Sequence, residues 1–489
     1  MNSNKLPEFH PQTVIRDWGD GDAFRLADAL TGVCVFGATG SGKTSGPAKH
    51  LAYGYLAAGF GGLVLCAKPE ERRQWQEWAA DTGREDDLII VNAEGDWQFN
   101  FMAWESSRPD AGGGLSLNIV SLIDEISGAI SGQEEGGNSK FWHDSLHHMN
   151  TNLVDLVLLA GLEVSLPLLR SILTSAAMTP ETVLDPIWQK DSVCAKTIDE
   201  ADRATQNAHA HKRANFDEVR DYWLLEYPSL NEKTRSIITL MFSMLVRPLI
   251  TPPLRQIFST DTNIKPEDTF DGKIIIVDLP VQEFRLVGRI ANLAIKYCFQ
   301  TAVLRRVQPA DRQSFLRPVF LWADEAQNFV SKFDSEYQAV ARSAGGCTVY
   351  LTQNRESFRR VLKNNDAVDS LLANLQCMIF CANTGDTNDW AAKLLGERWL
   401  NITSTNVGLS HKDIVQQQQQ SGDNHSSGVS RSSQRRLFIE PARFTTLKRG
   451  GALHQFLVES VVYNGGNLFQ NGRESLPYKL IAFQQLNQK

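Results

Sequence analysis

An α/β fold with a mostly parallel sheet, interrupted by an inserted all-α region, follows from three features of the sequence. Short apolar runs alternate with amphipathic helical stretches in the rhythm of crossover units. A Gly-rich turn joins the first such run to the first helix. Strand signals then disappear between Ala103 and Thr269 and return afterwards, so the sheet is completed by the second half of the chain.

The elements fall in this order. Gly32–Phe36 reads as a short buried strand, Ser45–Ala58 as a helix, and Gly62–Cys66 as a second strand ending in the polar turn Lys68–Glu70. An amphipathic stretch holding Trp75 and Trp78 leads to a third strand, Leu88–Val91. The inserted region has apolar residues at helical spacing in Leu146–Leu162 and Ile237–Leu249, with a flexible stretch at Ser131–Asn138. Strands return at Lys273–Leu279, Val319–Ala323, Cys347–Leu351 and Cys377–Cys381. Asn401–Arg436, Ser-rich and carrying Gln416–Gln420, is too polar to bury a core and is expected to be a mobile loop. Ala452–Tyr463 is the last strand-like segment. The expected division is therefore 1–31, an N-terminal segment; 32–102, the first part of the core; 103–269, the helical insertion; 270–400, the second part of the core; 401–436, the loop; and 437–489, completion of the core. No internal repeat is present.

Composition narrows the class. The 489 residues are 42% hydrophobic and 21% charged, ordinary for a globular protein, and the net charge of −7 excludes a protein that is basic in bulk. Any nucleic acid must be held by a local basic surface. The polar, Pro-containing N-terminus has no signal-peptide core, and no segment reaches the roughly 18 consecutive apolar residues of a spanning helix. No integral membrane segment and a cytoplasmic location are therefore expected. The seven cysteines are scattered, none in a CxxC pair, which fits a reducing compartment and gives no zinc pattern. His147 and His148 are adjacent, so on a helix they face different directions and make no metal pair.

Gly37, Ala38, Thr39, Gly40, Ser41, Gly42, Lys43 and Thr44 fit the phosphate-binding pattern GxxxxGK[ST], between a strand and a helix that opens at Ser45. Such a loop wraps its N–H groups around phosphate oxygens and adds the dipole of the following helix. Lys43 would bridge the β- and γ-phosphates of ATP, and Thr44 would hold Mg²⁺. A second carboxylate and a water-activating group are also needed. Asp324, supporting Mg²⁺, and Glu325, polarising water, stand at the end of the apolar run Val319–Ala323. The plainer alternative for this pair is an acidic helix N-terminus. Gln353, following Cys347–Leu351, is placed to sense the γ-phosphate or the lytic water, or is an ordinary loop glutamine. Arg342, just before Gly345-Gly346, reads equally as an arginine finger or as a cation at a helix C-terminus. Asp278 ends its strand within possible reach of a ligand.

These residues resemble the FtsK/HerA superfamily of ring ATPases, and among them the TraG/TraD-like coupling proteins of type IV secretion and conjugation. The resemblance covers about Gly32 to Tyr463. It rests on GATGSGKT, on Leu65-Cys66-Ala67-Lys68-Pro69-Glu70 where the family has Asp-x-Lys-Gly-Glu, on Phe99-Asn100-Phe101-Met102, and on Phe141-Trp142. It rests further on Ala341–Gly346 followed by a strand ending at Gln353, and on Asn374–Gly396. Two departures stand out: Cys66 and Pro69 replace the family's Asp and Gly, and the transmembrane helices of anchored members have no counterpart.

The resemblance implies a RecA-like P-loop ATPase core in a homo-oligomer, a hexameric ring with ATP at subunit interfaces and DNA in the central channel. Arg342 would then come from the neighbouring subunit, while Lys43, Thr44, Asp324, Glu325 and Gln353 come from one. Arg355, Arg359, Arg360 and Lys363 form a basic cluster after Gln353 that either contacts DNA or is a solvated helix face; Arg431, Arg435 and Arg436 carry the same two readings. Three functions are in play. One is an ATP-driven DNA translocase working with a relaxase or secretion apparatus. Another is a nucleotide-switched recruitment protein. The third is the ATPase subunit of an antiviral complex with a nuclease partner.

Overall fold

Parallel strands covered on both faces must be apolar on both, and the strands of this protein are short runs of that kind. The computed structural model describes residues 8–109, 112–131, 137–259, 261–308, 315–409, 425–472 and 474–485. Its central sheet comprises β1 (Val33–Phe36), β2 (Gly61–Leu65), β3 (Leu88–Val91), β4 (Ile274–Val277), β5 (Val319–Ala323), β6 (Gly346–Thr352), β7 (Cys377–Phe380), β8 (Leu457–Asn464) and β9 (Tyr478–Gln484). The spatial order is β9-β8-β7-β1-β6-β5-β2-β4-β3. Strands β1 to β7 pair in parallel, whereas β8 and β9 are antiparallel additions at one edge. The fold is α/β of the RecA-like type.

Alternation splits the core into two layers. Cys34, Phe36, Leu63, Leu65, Ile275 and Leu321 point to one face, where they join the inserted helices in one continuous core. Val33, Val35, Val64, Ile276, Phe320 and Val349 point to the other, against Tyr55, Trp75 and Trp78. Trp75 stacks on Phe320 at a centroid distance of 5.4 Å and meets Trp322 edge-on at 5.3 Å. Trp75 and Trp78 lie on the helix Glu70–Asp81, one turn of which buries both rings.

Between β3 and β4 the regular structure of the described residues is entirely helical, from Phe101–Ser106 to Leu254–Phe258 and a final short turn at Pro266–Asp271. Trp223, Tyr227, Phe216 and Phe242 are its buried anchors. The flexible stretch expected at Ser131–Asn138 falls mostly on residues outside the described ones, and the helix Gly137–Leu159 begins within it.

Three expectations need correction. The segment read as the mobile loop Asn401–Arg436 is, where described, a two-stranded antiparallel ribbon, Glu397–Leu409 paired with His425–Leu437, from Glu397↔Leu437 to Leu409↔His425. Its polar faces give no hydrophobic alternation, which is why composition hid it; Gln416–Gln420 lies outside the described residues. The strand expected over Ala452–Tyr463 begins only at Leu457, after a short turn at Ala452–His454. Strand β9 gave no clear signal of its own: its alternating residues are only partly covered.

Candidate nucleotide site

In a parallel sheet every strand delivers its following loop to the same rim. Pairing of Phe36 with Thr352 sets Gly37 beside Gln353, and pairing of Leu65 with Ala323 sets the turn after β2 beside Asp324. The Gly37 N–H donates to Thr352 O at 3.2 Å and the Ala38 N–H to Ala382 O at 3.0 Å, so the loop is tied to both strands flanking β1. Gly42 takes a positive φ of 83°, and a Cβ there would stand 2.5 Å from a Val458 methyl of β8. Only glycine fits. The next helix starts irregularly: Gly46 is non-helical and Pro47 follows, before regular turns run from Lys49 to Ala57.

The polar side chains converge on two carboxylates. Thr44 Oγ1 donates to Asp324 Oδ2 at 2.7 Å. Lys43 Nζ lies 3.4 Å and Lys68 Nζ 3.2 Å from the same oxygen, Glu325 Oε1. Its other oxygen, Oε2, accepts from Gln327 Nε2 at 2.8 Å and from Gln353 Nε2 at 3.4 Å. Lys43 and Glu325 are 7% and 8% exposed, so water screens this cluster little. Burial pushes the Glu325 carboxyl up, but Lys43, Gln327 and Lys68 outweigh it, and its pKa lies below the ordinary value. The Glu325 backbone is left-handed, φ 50° and ψ 47°, a conformation that costs about 1–3 kcal/mol for a residue with a side chain. Its N–H is held by Asp324 Oδ1 at 2.8 Å.

Gln353 is itself anchored: Asn383 Nδ2 donates to its carbonyl at 2.7 Å, and Thr352 Oγ1 donates to Gln327 Oε1 at 2.9 Å. The loops after β1, β2, β5, β6 and β7 thus share one network. Lys68 belongs to it, quoted from the sequence only within the turn Leu65–Glu70 and given no role of its own. Gln327 and Asn383 belong to it too and were not picked out from the sequence. Their one available signal is position, each lying within four residues of the C-terminal end of a parallel strand. Lys68 sits on a stiff turn, because Glu71 Oε2 accepts from the Ala67 N–H at 2.7 Å and the Gln282 N–H donates to Ala67 O at 3.0 Å. Cys66, standing where the resemblance has an aspartate, is fully buried and its thiol is pushed up by burial, so it brings no charge to the site.

Other expected residues lie elsewhere. Arg342 precedes β6 whereas Gln353 follows it, so the two stand at opposite rims, about 23 Å apart along the strand. Arg342 is exposed. Of the basic cluster, Arg355 is committed internally, paired with Asp369 and lying 5.3 Å above the Trp390 ring. Arg359 is half-buried; Arg360 and Lys363 are exposed. Asp278 pairs with Arg72 at 3.0 Å and not with the loop residues.

The residues present fit a nucleotide with its metal. A buried cation (Lys43), a hydroxyl–carboxylate pair (Thr44–Asp324) and the buried, unpartnered Ser41 Oγ lie along one glycine-rich turn at a helix start. That donor set matches phosphate oxygens and a hard divalent ion.

Strand order and loop chemistry together define a P-loop nucleotide-binding fold. Residues 318–449 match a family model described as the TraM recognition site of TraD and TraG. Across nearly the full chain the fold is that of bacterial conjugative coupling proteins. TrwBdeltaN70 in its unbound form matches with a TM-score of 0.60 at 15% identity, over 98% of this chain and 89% of that one. Plasmid coupling protein TrwB in complex with ADP and Mg²⁺ matches at 0.58 and 15%, over 100% and 93%. The complex of TrwB with a non-hydrolysable ATP analogue matches at 0.57 and 14%, over 98% and 90%. The sequence matches no curated protein. Among the described residues, no helix is long and apolar enough to cross a membrane.

Proposed function

We propose that the chain is an ATP-hydrolysing motor that moves DNA, acting as a ring of identical subunits in the manner of a conjugative coupling protein. The observation that carries this is the convergence of Lys43, Lys68, Gln327 and Gln353 on Glu325, beside the Thr44–Asp324 pair. An ionised, multiply held carboxylate next to a phosphate loop is what in-line attack of water requires. In this assignment Gly37 to Ser45 cradle ATP, Thr44 and Asp324 hold Mg²⁺, Glu325 takes the proton of the attacking water, and Gln353 orients it. Bound Mg²⁺ supplies neutralisation of charge on the β- and γ-phosphates. Arg342, on the far rim, serves the site of a neighbouring subunit, where a guanidinium steadies charge leaving the γ-phosphate. We assign 32–102, 270–400 and 437–489 to the ATPase core, and 103–269 to an insertion facing partners. The phosphate contacts to DNA include the exposed Arg360 and Lys363, and exclude Arg355.

Purified protein should hydrolyse ATP faster with one form of DNA, and Glu325→Gln should lower that turnover about 10²- to 10⁴-fold. Slow hydrolysis indifferent to single-stranded and duplex DNA would overturn the motor. A second reading has one specific observation behind it: the matched family is described by recognition of TraM. Under it the chain is a nucleotide-switched recruiter of a DNA-processing partner, and ATP would change partner affinity without DNA-dependent turnover.

A further inference from the structure

Apart from Arg398, whose guanidinium lies 5.9 Å over the Phe438 ring, and the Glu397–Arg435 pair, the described side chains at the base of the ribbon Glu397–Leu409/His425–Leu437 are turned mostly to solvent. Residues 397–401 and 430–436 are nearly all solvent-exposed, on both faces of the ribbon. A two-stranded ribbon open on both sides gains little from burial. Yet Trp399 is 68% exposed, and its cross-strand partner is Arg435. Arg431 lies two pairs along on the same face, opposite Thr403. On the other face Arg398 stands directly opposite Arg436, a like-charge pair that weakens the ribbon itself. Over 397–404 and 429–437 there are four arginines (Arg398, Arg431, Arg435, Arg436) against one carboxylate, Glu397, in a chain of net charge −7. Glu397 meets Arg435 at 3.0 Å, leaving the other three arginines without it.

An exposed indole flanked by guanidinium groups, on a strand pair whose own charges repel, matches a polyanion with exposed aromatic faces. We propose that this ribbon grips single-stranded nucleic acid, with Trp399 stacking on a base and Arg398, Arg431, Arg435 and Arg436 meeting phosphates. Stacking on an exposed ring is available only where bases are unpaired, which is why the single strand is favoured over the duplex. The proposal rests on the reading of DNA as the track of the motor, and adds which element holds it and in which form. The contact is sequence-tolerant and strongly salt-dependent.

The test is anisotropy of a labelled oligothymidylate, and of a labelled duplex, titrated with the full-length protein. Trp399→Ala should weaken oligothymidylate binding about tenfold, within the range of one stacked base, and leave duplex binding unchanged. Arg431→Ala and Arg436→Ala should each lower the slope of log affinity against log salt by about 0.7. These side chains are exposed, so ATP turnover without DNA, measured on the same preparations, should stay at the wild-type level and report intact folding. Wild-type affinity for oligothymidylate in all three variants, with DNA-stimulated turnover retained, would overturn the ribbon grip while leaving the motor standing. Equal loss on single strand and duplex would overturn the stacking role. A change of subunit association with DNA affinity untouched would make the ribbon a protein contact and overturn the proposal. Absence of DNA binding by the wild-type protein would instead overturn the motor reading beneath it.

Discussion

Among the described residues two lysine–carboxylate pairs have both partners buried, and they are built oppositely. Lys296 and Asp334 are 2.6 Å apart with side chains 1% exposed, and every strong partner is in place. Lys296 Nζ also donates to Phe329 O at 2.6 Å; Asp334 accepts from Gln300, from the Ser331 N–H and from Tyr350 OH at 2.8, 2.6 and 2.5 Å. Lys43 and Glu325 are 3.4 Å apart, and Glu325 shares one oxygen between two lysines. The first pair is saturated and ties the helices Val281–Leu304 and Phe333–Ala341 to β6. The second is loose, with a cation that can leave. A buried charge pair stabilises only when its remaining hydrogen-bonding capacity is met, so the loose pair points to a waiting ligand and the tight one to architecture.

That contrast can be broken in four ways. Glu325→Gln should lower ATP turnover about 10²- to 10⁴-fold, the range for a lost general base, while thermal unfolding stays close to wild type. A collapse of stability instead would make the pair structural. Lys296→Met should do the converse. It strands the Asp334 charge in the core and should cost about 3–5 kcal/mol in denaturant unfolding. If the variant proves as stable as the wild type, the pair is not holding the helices to the sheet. Tyr350→Phe removes one donor to the same carboxylate and should cost about 1.5–3 kcal/mol, read as a shift of the urea midpoint at unchanged slope. Lys68→Met should have the smallest effect. Once ATP claims Lys43, Lys68 is the cation left on Glu325, so kcat should drop about tenfold at nearly constant KM, and Lys68→Arg should recover most of it. A raised KM at constant kcat would instead place Lys68 on the bound nucleotide.

The legible parts of the site were those made from consecutive residues. Gly37–Thr44 is a local pattern because strand, turn and helix start together suffice to bind phosphate. Asp324 and Glu325 stood out because charge follows a purely apolar run. Gln327 and Asn383 were illegible for the opposite reason: each is an ordinary polar residue in an ordinary loop, and joins the site only through its neighbours in the fold. Lys68 was visible as part of the turn after β2, but its contact with Glu325 was not. The ribbon was misjudged because strands without a buried face carry no period-two hydrophobic signal.

The sequence by itself determined the parallel α/β class, the phosphate loop, the carboxylates after β5, and the helical interruption, since each depends on periodicity or spacing within a few residues. Tertiary structure alone decided the order of the strands. Equally apolar buried runs fit any permutation of the sheet, and only long-range packing puts β6 between β1 and β5. That placement sets Gln353 and Glu325 within hydrogen-bonding reach, with Arg342 at the other end of β6, and the strand order as a whole brings the loops after β1, β2 and β6 to a single carboxylate.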